Sequence, residues 1–399
     1  MSDKLTLRTD LFLDGKIAVA VSGGSDSLAL LYLLVENGFQ PIVLTVNHGL
    51  RSEAAQEAAF VGQVCASLKL QHHILNVDVE KTGNLQANAR DARYDAMKSF
   101  CIENKMPNLL VGHTKDDQNE TFLMNAMRGS GVDGLRAMDE INSGELTIIR
   151  PILEFERQEL QTYLSKKNVK WVNDPSNINF EFSRVKVRDW INQGQALGFD
   201  FEGLSRTRKN MARVSNFVET EVGRFFEDYG KWLMKGVEYI IPRSAFLDTH
   251  EEIQLRVLAR LAQQFGGSGY KPRIDSVIRL RDKIHSEVSS GMNVANTDFH
   301  WSMHKIRICA EPKKLPPPSS TRFWHLHRID NSGYFLEKDC HIDALGNLSH
   351  KFDFWRAMGI SHNASLSIPA VFKGDEVIAL KGHSETIKLQ FVFNKPLIG

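Results

Sequence analysis

The chain reads as an α/β protein: an N-terminal domain on a parallel sheet, then an all-helical domain, then a small mixed or β-rich domain. Three observations predict this. Residues 17–30 run from a β-branched strand through a glycine-rich turn into an apolar helix start. Strand and helix patterns then alternate through the first half, and repeated βα units imply a parallel sheet with helices on both faces. From about Gly203 the pattern is helical only, until three consecutive prolines, Pro316–Pro318, interrupt it.

Strands are expected at Ile17–Val21, Ile42–Val46, His73–Val77, Leu109–Gly112 and Thr147–Arg150. Helical spacing covers Glu53–Leu68, with Ala54, Ala58, Val61, Cys65 and Leu68 on one face. It also covers Gln86–Phe100, where Arg93 is the polar oddity on an apolar face. Ligands in such folds sit beyond the carboxyl ends of the strands. The Ser22 loop, Asn47-His48 and Gly112-His113 each follow directly on a strand, so they should converge on one mouth. In the helical region Leu204, Met211, Val214, Val218, Phe225 and Trp232 suggest one long helix or two consecutive ones. Glu251–Phe265 and Ile274–Ile284 suggest two more. The expected division is 1–200 for the catalytic domain, 201–311 for the helical domain, 312–320 for a semi-rigid proline-rich linker and 321–399 for the C-terminal domain.

Composition narrows the classes. Of 399 residues, 42% are hydrophobic and 24% charged, which is ordinary for a globular protein. No apolar run approaches the ~20 residues of a membrane helix, and Met1-Ser2-Asp3-Lys4 lacks a signal-peptide layout. A cytoplasmic location is the expectation. The four cysteines, Cys65, Cys101, Cys309 and Cys340, hold no C-x-x-C spacing, which leaves a zinc ribbon, an iron–sulfur site and a redox pair without support. Net charge is +1, so nothing global points to nucleic acid. Locally, residues 182–213 carry seven basic residues (Arg184, Lys186, Arg188, Arg206, Arg208, Lys209, Arg213) against three acidic ones. That is either a phosphate-contacting stripe or a solvated helix face.

The turn Ser22-Gly23-Gly24-Ser25-Asp26-Ser27 would point backbone N–H groups into one hollow at the positive end of a helix, which suits phosphate. Asp26 would repel a bare phosphate, and makes sense with Mg²⁺ between carboxylate and phosphate. The Lys of a Walker A loop is absent, and so is G-x-G-x-x-G. A second stretch, His113-Thr114-Lys115-Asp116-Asp117-Gln118-Asn119-Glu120, follows a strand and opens a helix. Asp117 and Glu120 share a helix face there. Such a pair holds a divalent metal or an ammonium group; the plainer option is N-capping by Asp116 with solvated neighbours.

The first loop resembles the SGGxDS loop of the PP-loop family, the N-type ATP pyrophosphatases, which split ATP between the α- and β-phosphates. Within that family the chain is similar to the tRNA(Ile)-lysidine synthetases. The further segments are Asn47-His48-Gly49-Leu50-Arg51, Ala89-Arg90-Asp91-Ala92-Arg93-Tyr94, His113–Glu120, Met127–Leu135, Arg150-Pro151-Ile152-Leu153 and Asn173-Asp174-Pro175-Ser176-Asn177. In order, these segments cover roughly residues 17–190.

The resemblance implies an adenine nucleotide alpha-hydrolase-like fold and a two-step reaction. ATP adenylates the C2 oxygen of the wobble cytidine in the CAU anticodon of tRNA(Ile), and free L-lysine then displaces AMP, giving lysidine. ATP is thus a substrate and Mg²⁺ the expected metal. Ser22, Gly23, Gly24, Ser25, Asp26 and Ser27 would hold the phosphates, with His48 and His113 contacting ATP or serving as base. Asp26 and Asp117 would hold metal, Asp117 and Glu120 would bind the lysine amine or share that metal, and Arg93 and Arg184 would stabilise phosphate charge. Two departures stand out. Arg184-Val185-Lys186-Val187-Arg188 lacks the family's asparagine, and Gly382–Leu389 is only faintly similar to a segment the family uses on the acceptor stem. The oligomeric state, a homodimer being one option, is open. The rivals are a tRNA thiolase, which needs cysteines, an amidotransferase-type synthetase, and a tRNA-binding module with an inactive loop.

Overall fold

The computed structural model describes residues 5–49, 53–79, 85–142, 146–172, 183–234, 237–266, 271–311, 324–328, 340–352, 354–373, 376–380 and 389–393. The chain divides into two compact units, Met1–Ser215 and Asn216–Gly399.

The first unit alternates β1 (Ile17–Ala20), α1 (Ser25–Glu36), β2 (Ile42–Asn47), α2 (Glu53–Leu68), β3 (His72–Asn76), α3 (Leu85–Glu103), β4 (Asn108–Val111) and α4 (Lys115–Met127). It continues with α5 (Val132–Leu135), β5 (Ile141–Asn142), β6 (Thr147–Ile149), α6 (Arg157–Lys166), α7 (Ser183–Ala196) and the start of α8 (Glu202–Tyr229). The sheet order is β3-β2-β1-β4-β6-β5, with the first five strands parallel and β5 antiparallel at the edge. The parallel sheet is as expected; the two-residue β5 is an addition, too short to leave a periodic trace.

Alternation along the strands sorts the core. Val19, Val43, Leu110 and Ile149 face one side, with α1, Val61 and Cys65 of α2, and Leu160 and Leu164 of α6. Ala18, Leu44, Leu109 and Val111 face the other, with Met97 and Cys101 of α3. Leu28, Leu30, Leu31 and Leu34 of α1 are all fully buried. At roughly 1.5–3 kcal/mol per buried leucine, that helix is fixed firmly against the sheet. The strand order reverses between β1 and β4, the position at which open α/β sheets leave a crevice at their carboxyl ends.

In the second unit come β7 (Lys231–Met234), β8 (Glu238–Pro242), α9 (Arg243–Asp248), α10 (Glu251–Gly266), α11 (Ile274–Ser286), β9 (Ser290–Val294), β10 (Thr297–Trp301) and β11 (Lys305–Ala310). The expected helices are present. Joined to them is an antiparallel sheet, β7-β8-β11-β10-β9, where the sequence reading has helices alone. Two local causes hid it. α8 ends at Tyr229, and the next residue, Gly230, must be glycine, since a Cβ there would lie 1.7 Å from the Tyr239 hydroxyl; Trp232 thus stands on a strand and not on the helix. The β9–β10 hairpin turns at Ala295 and Asn296, both with positive φ (51° and 63°). Alanine in that conformation replaces the usual Asn-Gly signal.

Further on lie β12 (Trp324–Arg328), β13 (Cys340–Ala344), α12 (Phe354–Ala357), α13 (His362–Leu366), β14 (Pro369–Lys373), β15 (Glu376–Leu380) and β16 (Leu389–Phe393). They form one two-stranded and one three-stranded antiparallel sheet, a mixed C-terminal part as expected. The proline-rich linker 312–320, Leu50-Arg51, Asn173–Asn177 and Gly382–Lys388 lie outside the described residues. No described helix is long and apolar enough to cross a membrane.

Candidate active site

The β1–α1 loop is fixed from beneath. Val21 N–H donates to Leu44 O at 2.9 Å, and the Thr45 hydroxyl donates to Val21 O at 2.9 Å. Gly23 has φ +87°, a backbone conformation that favours glycine, while a Cβ on it would meet Val61 and Val172 only at ordinary contact distance (3.4 and 3.5 Å). Gly24 precedes α1, which has no side-chain cap at its N-terminus, and the first-turn amides project from the helix as anion donors. The serines are less available than their hydroxyls suggest. Ser27 Oγ accepts from Ser22 N–H (3.2 Å) and donates to Gly24 O (3.1 Å), stapling the loop, while Ser25 Oγ donates to Asp26 Oδ1 (2.9 Å). Ser22 is the exposed hydroxyl of the loop.

The end of β4 closes onto this loop. A Cβ on Gly112 would lie 3.1 Å from the Ser27 Cα and N, so glycine lets the strand end touch the first turn of α1. Next comes Thr114, fully buried, which caps α4. Its backbone N–H donates to Asp117 Oδ2 (2.9 Å) and Asp117 N–H returns to Thr114 Oγ1 (3.4 Å), a reciprocal capping box. The cap is therefore Thr114 and not Asp116, whose Oδ2 instead accepts the Arg157 backbone N–H at 2.8 Å. Gln118 is clamped both ways to the Met138 backbone at 2.8 Å.

Arg157, which the sequence reading passed over, joins the acids. Its Nε donates to Asp26 Oδ2 at 2.9 Å; Nη2 lies 3.6 Å from Asp117 Oδ1, and Nη1 lies 4.0 Å from Glu120 Oε1. Burial pushes the Asp26 carboxyl above its usual range, despite Arg157. Burial also acts upward on Asp117, but Arg157, Arg184 and His113 outweigh it and hold that carboxyl low. Glu120 is 1% exposed and already taken. Arg188 Nε donates to its Oε1 at 2.6 Å, and Arg184 Nε stands 2.9 Å from Oε2 without the alignment of a hydrogen bond. Arg184 also donates to Thr121 Oγ1 at 3.0 Å. Where the sequence reading has a lysine ammonium on Glu120, the structure has two guanidinium groups.

His113 accepts on Nδ1 from Arg150 Nε at 3.1 Å, and Arg150 Nη1 donates to Asp139 O at 2.7 Å. Burial, with Arg150 adding to it against Asp117, pushes the imidazole down to about 3. Near neutral pH this ring is uncharged and carries its proton on Nε2, so it is a hydrogen-bond donor and a poor base. A stability consequence follows with a definite sign. The unfolded histidine titrates at 6.5 and the folded one near 3, so as pH falls from 6.5 towards 3 the unfolded state binds a proton the folded state refuses. Stability should fall across that window, by at most about 1.4 kcal/mol per pH unit from this group. Urea unfolding at stepped pH should show a shallower acid decline for His113→Gln.

Of the remaining candidates, Arg93 lies close enough to Arg184 for the two charges to interact. His48 is half-buried directly after β2. Arg93 is half-buried on α3, with its guanidinium 5.3 Å from the Tyr94 ring centre; Arg90 shares that ring at 5.0 Å. Of the basic stretch, Arg208 and Lys209 pair with Glu154 (2.8 and 2.7 Å), and Arg213 donates to Asn210. With Arg184 and Arg188 on Glu120, much of the stripe is tied down inside the first unit. Cys65 and Cys101 are free, buried on opposite faces of the sheet, and pushed up to about 11 by burial. Burial raises the free Cys309 thiol as well. None of the three offers the reactive thiolate a thiolase requires.

Comparison with known proteins agrees with this geometry. Residues 3–194 match the PP-loop domain family. The chain is similar to the tRNA(Ile)-lysidine synthase of Ruegeria pomeroyi, 31% identical over 91% of this chain and 88% of that protein. The tRNA(Ile)-lysidine synthase of Orientia tsutsugamushi is 34% identical over 76% of this chain and 71% of its own length. That of Hyphomonas neptunium is 34% identical over 78% and 86%. With a phosphate loop of this form beside a carboxylate cluster, and relatives that align along 76–91% of it, the chain belongs to the tRNA(Ile)-lysidine synthase family of PP-loop, ATP-using ligases.

Proposed function

We propose that this protein ligates free L-lysine to C2 of the wobble cytidine in the CAU anticodon of tRNA(Ile), at the expense of ATP. The observation that carries this reading is the uncapped, glycine-lined start of α1 with Asp26 in its first turn and Asp117 close by. The amides there receive the β- and γ-phosphates, and the cytidine C2 oxygen attacks the α-phosphorus as pyrophosphate leaves. The lysine ε-amine then attacks C2, and the C2–O bond breaks with release of AMP. His113, neutral with its proton on Nε2, serves as a donor to phosphate or to the base.

Asp26 and Asp117 fit a magnesium ion in donor chemistry: two carboxylates at the crevice that already share a cation, the Arg157 guanidinium. Bound there with ATP, the ion supplies charge neutralisation on the phosphates. Glu120 serves to hold Arg184 and Arg188 at the crevice, where they stabilise phosphate charge.

The test is direct. Protein, ATP and radiolabelled lysine are incubated with unmodified tRNA(Ile) carrying CAU. Label should enter the RNA only with ATP, and mutating the wobble cytidine should abolish it. Label entering without ATP, or ATP-dependent transfer of sulfur instead of lysine, would refute the reading.

A further inference from the structure

Arg157 has no part in the reaction as written, yet it is placed with more contacts to the acids than any other cation at the crevice. It is the first residue of α6, where the helix dipole disfavours a positive side chain. The guanidinium reaches Asp26 at 2.9 Å, Asp117 at 3.6 Å and Glu120 at 4.0 Å, which offset that local penalty. Its backbone N–H is fixed on Asp116. The helix that carries it is docked on the sheet face that also holds α1, through fully buried Leu160 and Leu164. A residue that breaks a local rule under such tight support points to function.

The geometry points to Arg157 as a positioning residue. In the nucleotide-free protein its guanidinium holds the place between Asp26 and Asp117, and the pair accepts a divalent cation only when the nucleotide's phosphates draw the guanidinium away. This rests on the reading above, that these two carboxylates take a cation together with ATP. Without a counter-ion, two neighbouring buried carboxylates would repel or take up a proton. A built-in guanidinium keeps them charged and in register, and is weakly hydrated, whereas magnesium dehydrates reluctantly. Arriving triphosphate changes the balance, because the planar fork of arginine pairs with phosphate oxygens at least as well as with carboxylate. Cation entry is thereby made conditional on nucleotide.

Manganese is the probe, with free and bound ion distinguished by electron paramagnetic resonance and with α,β-methylene-ATP as the nucleotide. Wild type should bind Mn²⁺ at this pair only when the analogue is present. Arg157→Gln should bind Mn²⁺ without nucleotide, tighter than wild type by on the order of tenfold or more, the scale expected from removing a unit charge a few ångströms away. Adding Asp26→Asn to that variant should erase the gain, and Arg157→Lys should restore exclusion. Equal Mn²⁺ affinity of wild type with and without the analogue overturns the proposal and needs no variant to fold. So does an Arg157→Gln protein that gains nothing while wild type still responds to the analogue. If wild type takes up no Mn²⁺ even with the analogue, the reading of the two carboxylates as a cation pair fails, and the role given to Arg157 fails with it.

Discussion

Asp26→Asn should lower tRNA-dependent ATP–pyrophosphate exchange by about 10²–10³-fold, the range seen when one preorganised charge at a phosphate or oxyanion is removed. The same substitution should leave the melting temperature unchanged or raise it. Burial lifts the carboxyl of Asp26 above its ordinary value even with Arg157 at 2.9 Å. A carboxylate whose folded pKa exceeds its unfolded pKa destabilises the fold at neutral pH, where it must be ionised; neutral Asn relieves that penalty but gives up the pair with Arg157, which still faces Asp117 and Glu120. Rate loss with retained or increased stability is the signature of a group kept for chemistry. Thermal scanning of wild type and variant beside the exchange assay checks both halves. A variant that loses stability and activity in proportion would mean that Asp26 is structural.

Glu120→Gln should do the reverse in stability while also ending lysine transfer. Glu120 is buried, and it is the shared counter-ion of Arg184 and Arg188, which join α7 to α4. Removing one member of a buried ion cluster typically costs about 3–5 kcal/mol. Here the value should fall at the lower end, because both arginines retain some solvent contact. Urea unfolding should show a lower midpoint with an unchanged m-value, and lysine incorporation should drop with the displacement of the two guanidinium groups. If stability held and only the KM for lysine rose, Glu120 would be an amine ligand after all.

The βα rhythm of the first unit was legible because long apolar periods survive in the sequence, and strand expectations such as Ile42–Val46 lie within one residue of the observed strand. The phosphate loop was legible because its two glycines and Asp26 are local. What was not legible depends on contacts across the chain. Arg157 sits in Phe155-Glu156-Arg157-Gln158-Glu159, which looks like an ordinary charged helix start; the hint was a cation at the positive end of a helix. Glu120 looked like a free carboxylate because nothing local shows that α7 brings two arginines to it. The middle sheet stayed hidden because its β9–β10 turn uses Ala295 where glycine is usual, so no turn signal marks the hairpin.

Asp26 and Arg157 are separated by 131 residues, and Glu120 and Arg188 by 68. No hairpin or single helix contains enough of these groups to act. During synthesis, with the N-terminal end emerging first, the phosphate loop exists long before its partners do, and the charge cluster is complete only after Arg188 has left the ribosome. Long-range parallel pairing is also slow to form. A chain that has not yet released Arg188 therefore lacks the assembled charge cluster, which forms only as the long-range contacts of the first unit close.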